Sequence, residues 1–481
     1  MVRKVNNTVI NYIPFDASID AWIDEQSDGI IDAVRGLLQI PSVKGQPEPG
    51  APFGIETRRA LDFALDCAQS EGLDIKILDG FAGHAEWIPR GATSSSEIVG
   101  VLAHVDVVPE GNDWKHAPFG AEVDCGKVYG RGAIDDKGPA MAALFAILAL
   151  KATNIPGKRR IRWILGADEE SDFGCVAHYF ANEEMPVMGF TPDADFPLVY
   201  AEKGICDVVL QKFSVPVGEQ LHVRSMNGGR RSNMVPDYAT AVLTQKSTSW
   251  APIVARLNAV LGVKTQVIEN GTALEVIATG ISAHGSTPDL GLNAIVVLCD
   301  ALLLLDHHED QTELVSTIRR WGEDTSGKAL CIDGFDDIAG SLTSNLGIIN
   351  FAEGSASLTF NIRYPVSWTG NDVQNKLESG LTKAGFVIAS VKDTAPLYVP
   401  EDDPLVKSLL EVYRNETGDQ RRPMTIGGGT YARVMKKGVA FGPEFPGNNS
   451  GAHQADESWA IADLIRAVKI YAKALLRLVN V

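Results

Sequence analysis

Three apolar runs that lead into acidic residues constrain the fold of this chain most strongly. They occupy residues 98–110, 160–171 and 188–193, and helical patterns lie between them. Alternation of apolar strands with helices is typical of an α/β layer fold, in which ligands gather at the carboxyl ends of strands. The acidic residues therefore occupy the place where such a fold builds its site.

The first run carries His104 and Asp106. If residues 98–108 form one strand, these two side chains project from the same face. A carboxylate beside an imidazole fixes the ring tautomer and leaves the other ring nitrogen for a metal ion. By itself such a pair is more typical of a satisfied core group, so its interpretation depends on the acids further along the chain.

Two adjacent aspartates, Asp135 and Asp136, precede the apolar helical stretch at residues 140–151. Aspartates at a helix start can simply cap the helix and complement its dipole, at about 0.3–1 kcal/mol each. The same two aspartates can equally belong to a functional site. The sequence around them leaves both interpretations open.

The length of 481 residues indicates two domains. From about residue 204 the pattern changes to shorter strands with intervening helices, and after residue 396 long elements return. We therefore predict one α/β domain built from residues 1–203 and 396–481, with residues 204–395 inserted as an α+β domain. A single amphipathic helix is predicted at residues 19–38, and helices are also predicted at 404–417 and 461–479.

Composition excludes several classes of function. The net charge of −18 opposes binding to nucleic acid or anionic membrane. The six cysteines lie far apart without a Cys-x-x-Cys motif, which argues against a disulfide framework and against a thiolate zinc site. Neither a signal peptide nor a membrane-spanning run is evident, so we expect a cytoplasmic protein.

Two further enzyme classes lack their motifs. The glycine-rich stretches contain no G-x-x-x-x-G-K-[ST], and no G-x-G-x-x-G follows the first strand, which argues against phosphate binding. No G-x-S-x-G elbow is present, which disfavours a Ser/His/Asp hydrolase.

The remaining constellation consists of two histidines and five carboxylates at strand or helix ends: His104, Asp106, Asp135, Glu169, Glu170, Asp193 and His453. Converging carboxylates repel one another and cost stability unless cations neutralise them. Imidazole and carboxylate ligands without thiolate suit zinc, manganese or cobalt. A carboxylate that bridges two ions about 3.5–4 Å apart is the pattern of two-metal hydrolases.

Ordered motifs spread over nearly the whole chain resemble those of the M20 metallopeptidases, and within them the PepV-like bacterial dipeptidases. The motifs are HVDVVPEG, VYGRGAIDDKGP, ILGADEESDFG, FTPDADFP, SNMVPD, SAHGSTPDLGLNA, FNIRYP, IGGGTYAR, FGPEFPG and GAHQADE. The resemblance implies a zinc-peptidase-like catalytic α/β domain with an inserted lid domain. It also implies a dinuclear-metal-dependent dipeptidase, acting on dipeptides with a free amino end and a free carboxylate, with Xaa-His or β-Ala-His among the candidate substrates.

The same resemblance assigns the metal ligands. One ion would be bound by the first histidine and the other by the second, with a shared aspartate and one further carboxylate at each end: His104, His453, Asp135, Glu170 and Asp193. The motif alignment favours Asp135 over Asp136 as the shared ligand. Zinc is the expected metal, with manganese or cobalt as alternatives.

The resemblance also assigns Glu169 as the general base, which would take a proton from the attacking water and deliver it to the leaving amine. Asp106 would orient His104. An aspartate rather than a glutamate at position 193 fits the dipeptidase branch.

In the inserted domain, His284 resembles the family's lid histidine, which stabilises the tetrahedral oxyanion. Asn233 and Arg363 match substrate-binding positions, and Arg363 suits a bidentate grip on the α-carboxylate. The turn formed by Gly428, Gly429 and Thr430 can offer backbone amides to that carboxylate. From the residues alone, a histidine in a Gly/Ser/Pro loop and an asparagine before Met-Val-Pro-Asp are typical of surface and turn positions.

The long insertion resembles the enlarged lid that supplies its histidine within one chain, so we expect a monomer whose partner is a small peptide. Two alternatives remain open. One is a deacylase of N-acyl amino acids or succinyl-diaminopimelate from the same family. The other is a homologue that binds peptide without catalysis.

Overall fold

The computed structural model describes residues 13–481, except 214–220, 247–248, 307–308 and 353. The chain divides into two compact units. Unit 1 comprises the chain up to Tyr200 together with Val399–Met424 and Gly429–Val481, and unit 2 comprises Ala201–Tyr398 together with Thr425–Gly428. The sequence placed the domain boundaries at residues 203/204 and 395/396, and it did not anticipate the short segment 425–428.

The helices, in chain order, are α1 (Ile13–Glu25), α2 (Ser27–Leu38), α3 (Ile55–Ser70), α4 (Lys137–Ala152), α5 (Gly174–Asn182), α6 (Ala251–Leu257), α7 (Ala294–Leu302), α8 (Glu309–Glu323), α9 (Gly370–Leu381), α10 (Pro404–Thr417) and α11 (Ile461–Leu478). The single helix predicted at residues 19–38 was wrong. The chain breaks at Gln26, where φ is −90° and ψ is 5°. Buried apolar residues occur on both sides of this break, and therefore the periodicity did not reveal it.

The strands of the first segment are β1 (Asp74–Leu78), β2 (Ala82–Trp87), β3 (Ile98–His104), β4 (Glu122–Asp124), β5 (Lys127–Tyr129), β6 (Arg160–Gly166), β7 (Met188–Thr191), β8 (Ala194–Asp195) and β9 (Val199–Glu202). Those of the middle segment are β10 (Gly204–Lys212), β11 (His222–Gly228), β12 (Tyr238–Thr244), β13 (Val263–Ile268), β14 (Ala273–Thr279), β15 (Phe335–Asp336), β16 (Gly340–Ser341), β17 (Thr343–Ala352), β18 (Ser355–Tyr364), β19 (Val387–Thr394) and β20 (Leu397–Tyr398). The last segment adds β21 (Met424–Ile426), β22 (Gly438–Ala440), β23 (Pro443–Glu444) and β24 (Ser458–Ala460).

The main sheet of unit 1 follows the order β1-β2-β6-β3-β7-β22-β9. β3 pairs in parallel with both β6 and β7, so the carboxyl ends of these three strands meet at one edge. Every residue of β3 and β6 is buried, as expected for parallel strands covered on both faces. Helix α4 packs against α11 and α2, and it also contacts β3 and β6 of the sheet.

Unit 2 contains an eight-stranded sheet in the order β13-β14-β12-β11-β17-β18-β10-β19, in which the neighbouring strands are antiparallel. Burial alternates along β10 and β12, so that one face of the sheet is apolar. This face shares a hydrophobic core with residues of α7 and α8. Both units together give the α/β fold class that the sequence predicted. None of the described helices combines the length and apolar character that crossing a bilayer requires.

Candidate active site

The carboxyl edge of the unit 1 sheet gathers the residues that the sequence selected. His104 is the last residue of β3, Glu169 and Glu170 follow β6, and Asp193 follows β7. Because these three strands are neighbours and parallel, their ends deliver the side chains to one place. Asp135, just before α4, and His453, just before β24, complete the cluster.

Asp135 lies between the two histidines. Its Oδ1 is 3.1 Å from Nε2 of His104, and its Oδ2 is 2.9 Å from Nε2 of His453. Asp193 approaches the first imidazole, with Oδ2 3.9 Å from Nε2 of His104. Glu170 approaches the second, with Oε1 3.0 Å from Nε2 of His453. The five side chains therefore form two groups that share the carboxylate of Asp135.

The described residues contain two sets of three potential metal ligands whose atoms all lie within 4.8 Å of one another. One set is His104, Asp135 and Glu170, and the other is His104, Glu169 and Asp193. The second set contains Glu169, which the resemblance assigns as a general base. Glu169 is thus close enough to the ligands to exchange a proton with a molecule bound among them.

The electrostatics of the cluster require compensating positive charge. Burial, and then the neighbouring Asp193, raises the pKa of Glu169 well above its usual range. Burial and Asp135 do the same for Asp193, and they also raise the pKa of Glu170. Carboxyl groups that resist ionisation at this spacing fit two divalent cations, which would favour their charged forms. The residues present therefore suit a dinuclear metal centre.

The pKa values of the two histidines are raised as well. Burial alone would lower the pKa of His104, but its contacts with Asp106, Asp135 and Asp193 raise it well above the usual range. The same opposition acts on His453, whose pKa rises to about 11 because Asp135 and Glu170 outweigh burial. The hydrogen bonds from both imidazoles hold the pKa of Asp135 far below its usual range despite burial. Both rings thus take part in neutralising the acids.

The structure distinguishes between the two adjacent aspartates. Asp136 is fully buried, and its Oδ2 accepts a hydrogen bond from the backbone N–H of His104 at 3.1 Å. The peptide bond between Asp135 and Asp136 is cis. Only Asp135 of this pair is hydrogen-bonded to both imidazoles among the described contacts.

Asp106 contacts His104 differently from the prediction. Strand β3 ends at His104, so the two residues do not share a strand face. Nδ1 of His104 donates to the backbone carbonyl of Asp106 at 2.9 Å, whereas the carboxylate Oδ1 is 3.6 Å away. A carbonyl only accepts, so Nδ1 donates its proton to Asp106, and Nε2 is the ring nitrogen that faces the cluster.

The carboxylate of Asp106 instead holds the turn that carries two acids of the site. Its Oδ1 accepts from the backbone N–H of Glu169 at 3.0 Å, and its Oδ2 accepts from that of Glu170 at 3.1 Å. The side chain therefore fixes the backbone from which both acids project.

Glu457 is a site-supporting residue that the sequence analysis missed, although it lies in the GAHQADE motif. Its buried carboxylate accepts the backbone N–H groups of Gly132, Ile134 and Asp135 at 3.0, 3.0 and 3.3 Å. It also pairs with the guanidinium of Arg131 at 2.6 Å. Glu457 thus joins the loop of His453 to the loop of Asp135. The only signal in the sequence was an acidic residue in the same motif as the proposed metal ligand His453.

Tyr431 is a second residue that the sequence left without a role. Its buried ring lies edge-on to the imidazole of His104, with centroids 6.1 Å apart. Its hydroxyl is 2.8 Å from Sγ of Cys175. The aromatic ring therefore packs against His104, and the lower polarity there strengthens the electrostatic interactions of the cluster.

Three predicted substrate-binding residues belong to unit 2. Asn233 and His284 lie in neighbouring segments, because the backbone carbonyl of Asn233 accepts from Gly285 N–H at 2.7 Å. Arg363 is buried, and it donates from Nε to Asn361 at 2.7 Å and from Nη1 to the carbonyl of Gly427 at 2.8 Å. Part of the guanidinium is therefore committed to holding the glycine-rich turn.

The three turn residues divide between the units. Gly428 belongs to unit 2, whereas Gly429 and Thr430 belong to unit 1. The hydroxyl of Thr430 accepts from the N–H of Ala432 at 3.1 Å. Its side chain thus caps the short helical turn that follows.

Comparison with known proteins identifies the family. Residues 100–477 match the family described as "Peptidase family M20/M25/M40". A Bacillus subtilis protein named "Putative dipeptidase YtjP" is 42% identical over 463 residues, covering 94% of this chain and 98% of the relative. A Staphylococcus epidermidis protein named "Putative dipeptidase" is 35% identical over 463 residues, covering 94% and 97%. The chain therefore belongs to this peptidase family, and the enzyme class is peptide hydrolase.

Two solved structures share the fold. Human carnosine dipeptidase 1 aligns with a TM-score of 0.56 at 16% identity, covering 96% of this chain and 98% of that one. The dipeptidase Dug1p from Saccharomyces cerevisiae also aligns with a TM-score of 0.56, at 14% identity and with the same coverage. The two-domain α/β architecture predicted from the motifs is thereby confirmed.

Proposed function

We propose that this chain is a dinuclear-metal-dependent dipeptidase that hydrolyses dipeptides with a free amino end and a free carboxylate. The observation that carries the proposal is the position of Asp135, whose two oxygens approach one imidazole each. A carboxylate shared between two imidazole-containing groups suits a pair of divalent ions. The names of the two bacterial relatives support dipeptides as the substrate class.

The residues proposed to hold the ions are His104 and Asp193 on one side, His453 and Glu170 on the other, and Asp135 between them. Their nitrogen and oxygen donors suit zinc, with manganese or cobalt as alternatives. When bound, such ions polarise the scissile carbonyl and lower the pKa of nearby water.

Glu169 is proposed to move the proton. Its carboxylate lies near His104 and Asp193, and its backbone is fixed by Asp106. In hydrolysis it would accept a proton from the attacking water and pass it to the leaving amine nitrogen. Burial, and then Asp193, raise the pKa of this carboxyl group, so it holds a proton more readily than an exposed glutamate does.

The unit 2 residues are proposed to recognise and polarise the substrate. His284 would donate a hydrogen bond to the oxyanion, Asn233 would bind the substrate, and Arg363 would bind its α-carboxylate. Backbone amides of Gly428 and, from unit 1, of Gly429 and Thr430 would contact the same α-carboxylate. Recognition of both the free amine and the carboxylate would limit the substrate to dipeptides.

A substrate panel tests this proposal. The purified chain, dialysed against chelator and then supplied with zinc or manganese, is incubated with alanine dipeptides, β-Ala-His, a pentapeptide, N-acetyl amino acids and succinyl-diaminopimelate. Release of amino acids from the dipeptides alone is the expected result. Preference for the acylated compounds would replace the proposal with a deacylase, and binding of dipeptides without turnover would indicate a non-catalytic homologue.

We also propose that the protein acts as a monomer in the cytoplasm. All six cysteines are free thiols, which is consistent with a reducing compartment. Light scattering tests the oligomeric state, and fractionation of the source cells tests the location.

A further inference from the structure

The ring of His284 is held by the serine two residues further along the chain. Oγ of Ser286 lies 2.6 Å from Nδ1 of His284, and the backbone N–H of Ser286 donates to the same nitrogen at 3.3 Å. A backbone amide can only donate, so Nδ1 must accept. In a neutral imidazole whose Nδ1 accepts, the proton resides on Nε2.

We propose that Ser286 is a positioning residue that fixes His284 as the Nε2–H tautomer. This inference rests on the proposed peptidase function, because the tautomer matters when negative charge develops on the carbonyl oxygen of a scissile bond. A ring nitrogen that carries a proton stabilises that oxygen, whereas one that presents its lone pair repels it. The tautomer at His284 is the opposite of the one at His104, whose protonated Nδ1 leaves Nε2 available to a cation.

The exposure of His284 makes such a device necessary. The residue lies in an exposed segment, where water can reach the ring. Two donors from one neighbouring residue fix both the rotation of the ring and the nitrogen that accepts. The general consequence of a misplaced ring proton is large, since the loss of the correct tautomer reduces turnover strongly in other hydrolases.

The surroundings keep Ser286 in place. Its carbonyl accepts from Oγ1 of Thr343 at 3.4 Å. A Cβ at Gly427 would lie 2.8 Å from Cβ of Ser286, so only glycine fits there without displacement. Met234 forms an isolated antiparallel bridge with His284 on the other side of the loop. The serine is therefore attached through its backbone to the sheet of unit 2.

A matched set of variants tests the inference. Ser286→Ala removes the hydroxyl donor and keeps the backbone donor, Ser286→Thr restores a hydroxyl, and Ser282→Ala removes a hydroxyl from the same exposed loop as a control. For Ser286→Ala we expect kcat to fall about tenfold with KM unchanged, less than the ~10²–10³ lost when an oxyanion donor is removed outright. Ser286→Thr should recover most of the rate, and Ser282→Ala should behave as wild type.

A spectroscopic measurement separates this inference from the proposed function. In the ¹⁵N-histidine-labelled protein, two-bond ¹H–¹⁵N correlations, assigned with His284→Gln, report which ring nitrogen carries the proton. The expected wild-type spectrum places it on Nε2, with the two nitrogens becoming more alike in Ser286→Ala. A proton on Nδ1 overturns the inference whatever substrate the enzyme hydrolyses. An unchanged kcat in Ser286→Ala overturns it equally.

Discussion

Arg131 and Glu457 form a buried ion pair, 2.6 Å apart, in which each side chain is 1% exposed. The glutamate also anchors the backbone of the Asp135 loop. In Glu457→Gln the amide oxygen can still accept from the loop, but Arg131 loses its counter-charge. We expect the free energy of unfolding to fall by about 3 kcal/mol and the affinity for Mn²⁺ to weaken roughly 10–100-fold.

Denaturant unfolding and calorimetric titration measure these two effects. Glu97→Gln is the control, because Glu97 pairs with Arg159 at an exposed site. The proposed coupling of the two loops is wrong if Glu457→Gln loses stability but binds Mn²⁺ as tightly as wild type.

Glu169→Gln separates proton transfer from metal binding. The amide has the same shape but cannot accept the proton of water, so we expect kcat to fall by at least ~10²-fold. Metal content, measured by atomic absorption, should remain that of wild type. A large loss of bound metal would instead identify Glu169 as a ligand, as its proximity to His104 and Asp193 permits.

Asp106→Asn probes the side chain that holds the turn of Glu169 and Glu170. One amide group in the variant can no longer accept from both Glu169 and Glu170, so kcat should fall about 10–100-fold through displacement of these acids. The proton on Nδ1 of His104 should stay in place, since its acceptor is a backbone carbonyl. Histidine ¹⁵N spectra check this point, and Asp62→Asn, in a surface ion pair, serves as the control.

Removal of divalent ions should destabilise unit 1. After dialysis against chelator we expect a lower Tm, and added Zn²⁺ or Mn²⁺ at a hundredfold excess over Kd should restore about 2.7 kcal/mol. Asp135→Asn should abolish most of this metal-induced gain, because the variant lacks the shared carboxylate. Equal stabilisation of Asp135→Asn and wild type in a thermal scan would contradict a bridging role.

The buried His84 should make the stability of the folded chain depend on pH, independently of the active site. Burial and the nearby Arg162 lower the pKa of His84 to about 4, and its Nδ1 bonds the hydroxyl of Tyr179 at 2.8 Å. Because the unfolded chain takes up this proton near pH 6.5 and the folded chain only near pH 4, stability falls as pH drops through that window. The loss reaches about 3 kcal/mol.

Chemical unfolding between pH 4 and 7 provides the measurement. The slope of stability against pH should flatten in His84→Gln and remain in His178→Gln, which alters a partly exposed histidine. Equal slopes in wild type and His84→Gln would contradict the assignment.

The sequence allowed the centre of the site to be predicted because parallel strands bring their ends together. His104, Glu169 and Asp193 follow three apolar runs, and β6, β3 and β7 are indeed neighbours. The two bonds from Asp106 to the backbone of Glu169 and Glu170 could not be predicted, because they depend on how the backbone turns after β3 ends. The role of Glu457 could not be predicted either, since its partner Gly132 lies 325 residues earlier in the chain.

The position of β22 determines when the site can form. This strand, from the last segment, pairs with β7 and with the first part of β9, so it occupies a place inside the unit 1 sheet. Until residue 440 has left the ribosome, the edge of β7 that pairs with β22 has no partner strand. An unpaired strand edge promotes association with other chains. Synthesis of the last segment therefore comes before both a continuous sheet and the arrival of His453.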